Sequence, residues 1–187
     1  IPKRIVPDES MDIVLTSPPY GDSSTTVAYG QFSALANQWL GFMDRGRALD
    51  AQLMGGQKAS RISKFNSGIL NEQVREIEKI DRNRALDVAS FYQGYQASIR
   101  NVANKVKKSG FVCYVVSNRT VKGIQLDTGQ VTKDFFELNG FDHVDTFSRT
   151  ITNKRMPKKN SSSGKKGKKT PLMNKELAVV MKKRGVK

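Results

Sequence analysis

Apolar positions along this chain fall into two kinds of run, near-continuous short ones and longer ones at three- and four-residue steps. The first short run is "MDIVLT" at 11–16, rich in branched residues and bounded by "PDES" before it and "SPPY" after it. Continuous rather than alternating apolarity marks a strand covered on both faces, so it reads as a central strand of a parallel sheet. The segment "STTVAYGQFSALANQWLGF" then places Phe32, Leu35, Trp39 and Leu40 near helical spacing, which predicts a helix with an apolar stripe. Residues 44–68 turn polar and bear glycines, and read as an exposed insertion. Its Arg45, Arg47, Lys58, Arg61 and Lys64 suit either phosphate contact or plain solvation.

Helical periodicity returns over 69–84, with Leu70, Val74, Ile77 and Ile80 on one face, and over 87–108, with Val88, Phe91, Tyr95, Ile99, Val102 and Val106. "KKSG" at 107–110 supplies a basic last turn and a glycine stop. A second apolar run, "FVCYVVSN" at 111–118, follows at once. A short helix over 132–140, with Thr132 as cap and Gly140 as stop, leads into a third strand at 143–151. The last strand, 176–183, comes only after a long polar loop. Four strands with interposed helices predict an α/β layered domain with a mostly parallel sheet. The chain reads as one domain over 1–187, interrupted by the insertion at about 44–68 and the loop at about 153–175.

Charge changes this picture from a generic α/β domain to one with a polyanionic partner. A formal net charge of +15 on 187 residues exceeds what packing requires, and nucleic acid is the leading expectation. The loop from Asn153 to Lys175 carries nine Lys or Arg and no acid. Lys154, Arg155, Lys158, Lys159, Lys165, Lys166, Lys168 and Lys169 are therefore the candidate nucleic-acid-binding residues, each displacing counterions when set against a phosphate. The single cysteine, Cys113, rules out an internal disulfide framework and a cysteine-based zinc site, and no metal site is expected. No stretch is long and apolar enough for a membrane span, so the expected setting is cytoplasmic. An initial Ile in place of Met suggests a fragment, or a chain that has lost residues upstream.

The chemistry is concentrated where the first strand stops. Neither Pro18 nor Pro19 can donate a ladder hydrogen bond, so the chain must turn there. In open α/β sheets ligands bind beyond the carboxyl ends of the strands, which puts this turn at a site. The Ser17 hydroxyl, the outward carbonyls and the Tyr20 ring offer acceptors beside an aromatic plate. That set suits a planar heterocycle with an exocyclic amine, although a Pro-Pro-Tyr sequence that simply ends a strand and packs is an equal alternative.

"TSPPY" after "MDIVL" resembles the catalytic motif of the amino-methylating DNA methyltransferases, in the Ser-Pro-Pro-Tyr form typical of cytosine-N4 enzymes. The likeness extends to "DSSTTVAYGQFSALANQWLGF", "FVCYVVSNRTVKGI", "SRTITNKRMP" and "ELAVVMKK". It implies part of a Rossmann-like fold dependent on S-adenosylmethionine. Ser17, Pro18, Pro19 and Tyr20 would form the methyl-transfer site, with a flipped-out cytosine held at its N4 amine by Ser17 and the Pro18 carbonyl and stacked on Tyr20. Positioning and electrostatics then suffice, without a dedicated general base. Asp22, Asn118 and Arg119 could line the same crevice, and the sole histidine, His143, reads as structural.

One family feature is missing. The glycine-rich turn that binds the cofactor, of the form Phe-x-Gly-x-Gly after a strand, does not occur in this sequence. The chain thus resembles the catalytic half alone, with the edge of 11–16 left for another chain or a missing N-terminal segment. A truncated chain, a split enzyme and a degenerate remnant all fit. The leading expectation is a cytosine-N4 DNA methyltransferase of a restriction-modification system. Adenine-N6 methylation is the nearest alternative, and a basic nucleic-acid-binding module without catalysis is the alternative of another class.

Overall fold

The computed structural model describes residues 3–22, 29–41, 51, 53–150, 159–160, 170–171 and 175–185. The elements are β1 (Met11–Thr16), α1 (Tyr29–Trp39), α2 (Gly68–Ile80), α3 (Arg82–Lys105) and β2 (Val106–Val116). They continue with β3 (Arg119–Val121), β4 (Ile124–Leu126), α4 (Thr128–Leu138), β5 (Phe141–Thr150), β6 (Lys159–Asn160), β7 (Thr170–Pro171) and β8 (Lys175–Lys183).

Local chemistry fixes the helix ends. Ser67 accepts from Leu70 N and opens α2, whose buried face is Leu70, Val74 and Ile77 at the expected steps. Asp81 closes α2 and, with its carboxylate accepting from Arg84 N at 3.1 Å, opens α3. A capping aspartate thus divides two helices where periodicity alone places the break a few residues later. Asp127, not Thr132, caps α4 by accepting from Gln130 N. Thr132 lies buried inside that helix, donating to the Thr128 carbonyl and bonded to the Tyr95 hydroxyl. Gly140, at φ +83°, follows the end of α4 as expected.

"KKSG" does not end a helix: it lies within β2, where the register against β1 shifts between Met11↔Val106 and Ile13↔Phe111. The two lysines and Ser109 are exposed, and Lys107 reaches Asp12 of β1 at 2.8 Å. A polar stretch can occupy a strand when its ladder is irregular and its side chains face water.

Four strands form one sheet in the order β1-β2-β8-β5. The mostly parallel sheet expected from the sequence is not observed, because β2–β8 and β8–β5 are antiparallel and β1–β2 alone is parallel. The reason is topological. β8 inserts between β2 and β5, so β1, β2 and β5 share a direction while the last strand runs against them. The carboxyl ends of β1, β2 and β5 and the amino end of β8 therefore meet at one edge of the sheet.

Helices α2, α3 and α4 pack together with β2, β5 and β8 around an aromatic core that includes Tyr92, Tyr95, Tyr114, Phe135, Phe136 and Phe141. Tyr114 and Phe136 meet edge to face at 4.9 Å, as do Phe136 and Phe141 at 5.2 Å. The opposite face of the sheet is partly open among the described residues. Ile13 and Leu15 are 63% and 71% exposed, Phe111 is exposed beside Ile13 in the register, and Phe147 is exposed on β5 at the other edge of the sheet. Among the described residues β1 is an edge strand rather than a central one; only the face bearing Val14 is packed, and the more apolar face carries the exposed Ile13 and Leu15. The apolar stripe of α1 also faces solvent at Leu35 and Trp39.

Candidate functional site

Ser17 follows the last residue of β1, at the edge where the sheet's carboxyl ends gather. Its side chain is exposed, Pro18, Pro19 and Tyr20 are half-buried, and Gly21 and Asp22 are buried. The turn thus runs from an exposed position into packed interior within six residues.

Ser17 Oγ lies 3.1 Å from the Tyr20 hydroxyl, which donates to Glu176 Oε1, also at 3.1 Å. Arg149 Nη2 binds the other oxygen, Oε2, of Glu176 at 2.5 Å. Arg149 and Glu176 are register partners across β5 and β8, so the sheet itself sets their approach. The amino end of β8 is fixed from the other side as well, where buried Ser117 donates to the Lys175 carbonyl at 2.6 Å. Burial is the largest influence on the Tyr20 phenol and pushes it above its ordinary value. The Ser17 hydrogen bond opposes this, and the charge of Glu176 adds to it. A phenol shifted upward stays protonated at neutral pH and remains a donor.

Behind this chain of hydroxyls stands an ionic cluster. Fully buried Asp22 accepts from Arg119 Nη1 at 2.8 Å, and Arg84 Nη2 approaches the same oxygen at 3.8 Å. Arg84 also bridges Asp87 at 2.8 Å. Gly55, at φ +73°, passes so close that a Cβ there would meet Asp22 Cβ at 2.9 Å and Phe91 Cβ at 3.1 Å. The chain after the Pro-Pro-Tyr turn is therefore held by α3, β3 and the segment around Gly55.

Asp22 and Arg119, read from the sequence as possible lining residues, are brought together in that cluster. Asn118 instead accepts from Gly129 N at 3.3 Å, at the start of α4. His143 lies exposed on β5, bonded to Thr146. Of the eight basic candidates, Lys154, Arg155, Lys158, Lys165, Lys166, Lys168 and Lys169 lie outside the described residues, and Lys159 is described by its backbone alone, in β6 opposite Pro171. Among the described residues no helix is long and apolar enough to cross a membrane, and no cluster of His, Cys, Asp or Glu could hold a metal ion.

The sequence reading missed Glu176, Arg149 and Arg84. Glu176 was visible only as a carboxylate opening an apolar strand, and its place opposite Tyr20 follows from β8 running antiparallel.

No family model matches this chain. A comparison with characterised proteins finds 38% identity over 185 residues to the Type II methyltransferase M.MvaI of Kocuria varians. The relative is a methyltransferase. The match covers 94% of this chain and 41% of the relative, so the chain spans about two fifths of the length of the methyltransferase it matches. Among solved structures, three crystal structures of TTHA0409 from Thermus thermophilus, assigned as a DNA modification methylase, align over 96% of this chain and 47–50% of theirs. Their sequence identity is 14% and their TM-scores are 0.41 to 0.44; one is a complex with S-adenosyl-L-methionine.

Proposed function

We propose that this chain is the amine-binding half of a site-specific DNA methyltransferase that transfers a methyl group from S-adenosylmethionine to the N4 amine of a flipped-out cytosine. The observation that carries this reading is the Ser17–Tyr20 hydroxyl pair at the end of β1, in a chain so similar to a Type II methyltransferase. Ser17 presents an exposed acceptor at the end of β1, where an exocyclic amine can donate to it. The half-buried Tyr20 ring offers a flat apolar surface against which an extruded base can stack. Drawing on the amine hydrogens favours the nitrogen lone pair, and S-adenosylmethionine supplies an electrophilic methyl carbon. Ser in the first position of the motif favours cytosine N4 over adenine N6.

The residues present do not form a complete cofactor site. No glycine-rich turn follows a strand among the described residues, so S-adenosylmethionine is held chiefly by residues outside them. The edge of β1, unpaired among the described residues, and the exposed Ile13, Leu15 and Phe111 are where a cofactor-binding half would pair and pack. The charge of +15 and the lysine-rich loop supply the DNA contacts, and restriction-modification is the setting that suits a Type II relative.

The test is tritiated methyl incorporation from S-adenosylmethionine into mixed-sequence duplex DNA, by this chain alone and by the chain joined to its flanking coding sequence or neighbouring subunit. Label recovered as N4-methylcytosine in the completed reaction supports the reading. Tyr20→Ala and Ser17→Ala then abolish transfer while salt-sensitive DNA binding persists. Absence of label in both reactions, with DNA binding intact, replaces the reading with a non-catalytic binding module.

A further inference from the structure

The hydrogen-bond chain at the motif has a direction, and a residue outside the motif sets it. Tyr20 has one hydroxyl proton, and that proton is given to Glu176 Oε1. The Ser17 Oγ contact at 3.1 Å can then be a hydrogen bond only if Ser17 donates and Tyr20 accepts. With its proton turned toward Tyr20, the exposed Ser17 hydroxyl keeps both lone pairs for an incoming donor. A target amine is a donor and needs such an acceptor. Were the chain reversed, Tyr20 would donate to Ser17, and the serine proton would turn toward the incoming amine.

We propose that Glu176 is a positioning residue that, through Tyr20, orients the Ser17 hydroxyl so that its lone pairs face the target amine. This rests on the methyltransferase reading and assigns the site a member that the Pro-Pro-Tyr motif does not contain. The carboxylate suits the task because, ionised, it only accepts. Arg149 engages its second oxygen, and the side chain of Glu176 is 16% exposed whereas that of Arg149 is 78% exposed. The Ser117 bond to Lys175 and the β5–β8 register hold the strand end in place.

Glu176→Gln separates direction from packing, since it keeps volume and hydrogen-bonding capacity. Arg149, donor only, claims the amide oxygen of the glutamine, leaving the NH2 group to donate to Tyr20 and reverse the chain. In the enzyme completed with its cofactor-binding half, Glu176→Gln lowers kcat about tenfold or more, the worth of one misdirected hydrogen bond, with KM for DNA unchanged. Adding Arg149→Met frees the glutamine to turn its oxygen toward Tyr20 and restores most of the rate. A residue that served stability alone gives the opposite result, with the double variant worse than the single. Tyr20→Phe breaks the connection, so Glu176→Gln has no further effect in that background. Thermal melts of every variant separate misfolding from misdirection, and the Tyr20→Phe pair decides the matter where a Glu176 variant melts early. Wild-type kcat in Glu176→Gln, or additive losses with Tyr20→Phe, overturns the inference and leaves the methyltransferase reading intact. Lack of transfer by the completed wild-type enzyme overturns both.

Discussion

Replacing Asp22 by Asn isolates the charge of a buried carboxylate on which the segment after the motif depends. Asn keeps the volume and one acceptor oxygen, so no cavity opens, and what is lost is the attraction to Arg119 and Arg84. Truncating one partner of a buried pair costs roughly 3–5 kcal/mol when the other charge is stranded. Here the stranding is incomplete, because the Arg119 side chain is 12% exposed, Arg84 is 20% exposed, and Arg84 retains Asp87. We therefore expect about 2 kcal/mol, below the usual range for a stranded buried charge. For a domain of this size about 2–4 °C of melting temperature goes with each kcal/mol, so the expected loss is roughly 4–8 °C. The assay is thermal unfolding by circular dichroism, with Asp87→Asn, which touches only the outer part of the cluster, as the milder control. A melting temperature within about a degree of wild type would falsify the claim that this ion pair anchors the chain at Asp22, just beyond the turn.

Acid should remove a second tie. The Lys105 hydrogen bond, followed by that of Lys3, holds the Asp8 carboxyl at about 2, below its usual 3.8, so its contribution is present above about pH 3.8 and is lost as the pH falls through about 2. The stability difference between wild type and Asp8→Asn, followed by denaturant titration across that window, should vanish at its acid end, and a difference that persists below it counts against the assignment. Replacing Lys165, Lys166, Lys168 and Lys169 by Gln should flatten the dependence of log K for duplex DNA on log salt by about 0.9 for every phosphate no longer neutralised. An unchanged slope would mean that those four lysines meet no phosphate.

Strand positions were largely legible because each strand is a short apolar run, and all four expected strands appear within a few residues of their places. Their pairing was not. Nothing in "ELAVVMKK" announces that it threads between two earlier strands, because an interior strand is apolar whichever way it runs. Helix boundaries moved where side-chain caps outvoted periodicity, at Asp81 and at Asp127. The near-continuous apolarity of "MDIVLT" suggested a central strand covered on both faces, yet β1 lies at the sheet edge and only the face bearing Val14 is packed, as the exposed Ile13 and Leu15 show. For the site, the motif made Ser17 and Tyr20 visible, while Glu176 and Arg149 lie more than a hundred residues away in sequence and become neighbours only through the sheet.

That topology has a consequence for how the site can be probed. β8 is an interior strand and also the carrier of Glu176, so removing the C-terminal segment would withdraw Val179 and Met181 from the core and the carboxylate from Tyr20 together. Loss of activity after such a truncation would therefore say nothing about chemistry. The site and the core part company at the amino end of β8, where Lys175 and Glu176 precede the β2–β8 ladder while the hydrogen bond from Ser117 holds the backbone. A substitution confined to the Glu176 side chain leaves the β2–β8 ladder, which begins at Leu177, untouched. The antiparallel insertion that hid this residue from the sequence is thus what allows its role to be separated from the stability of the fold.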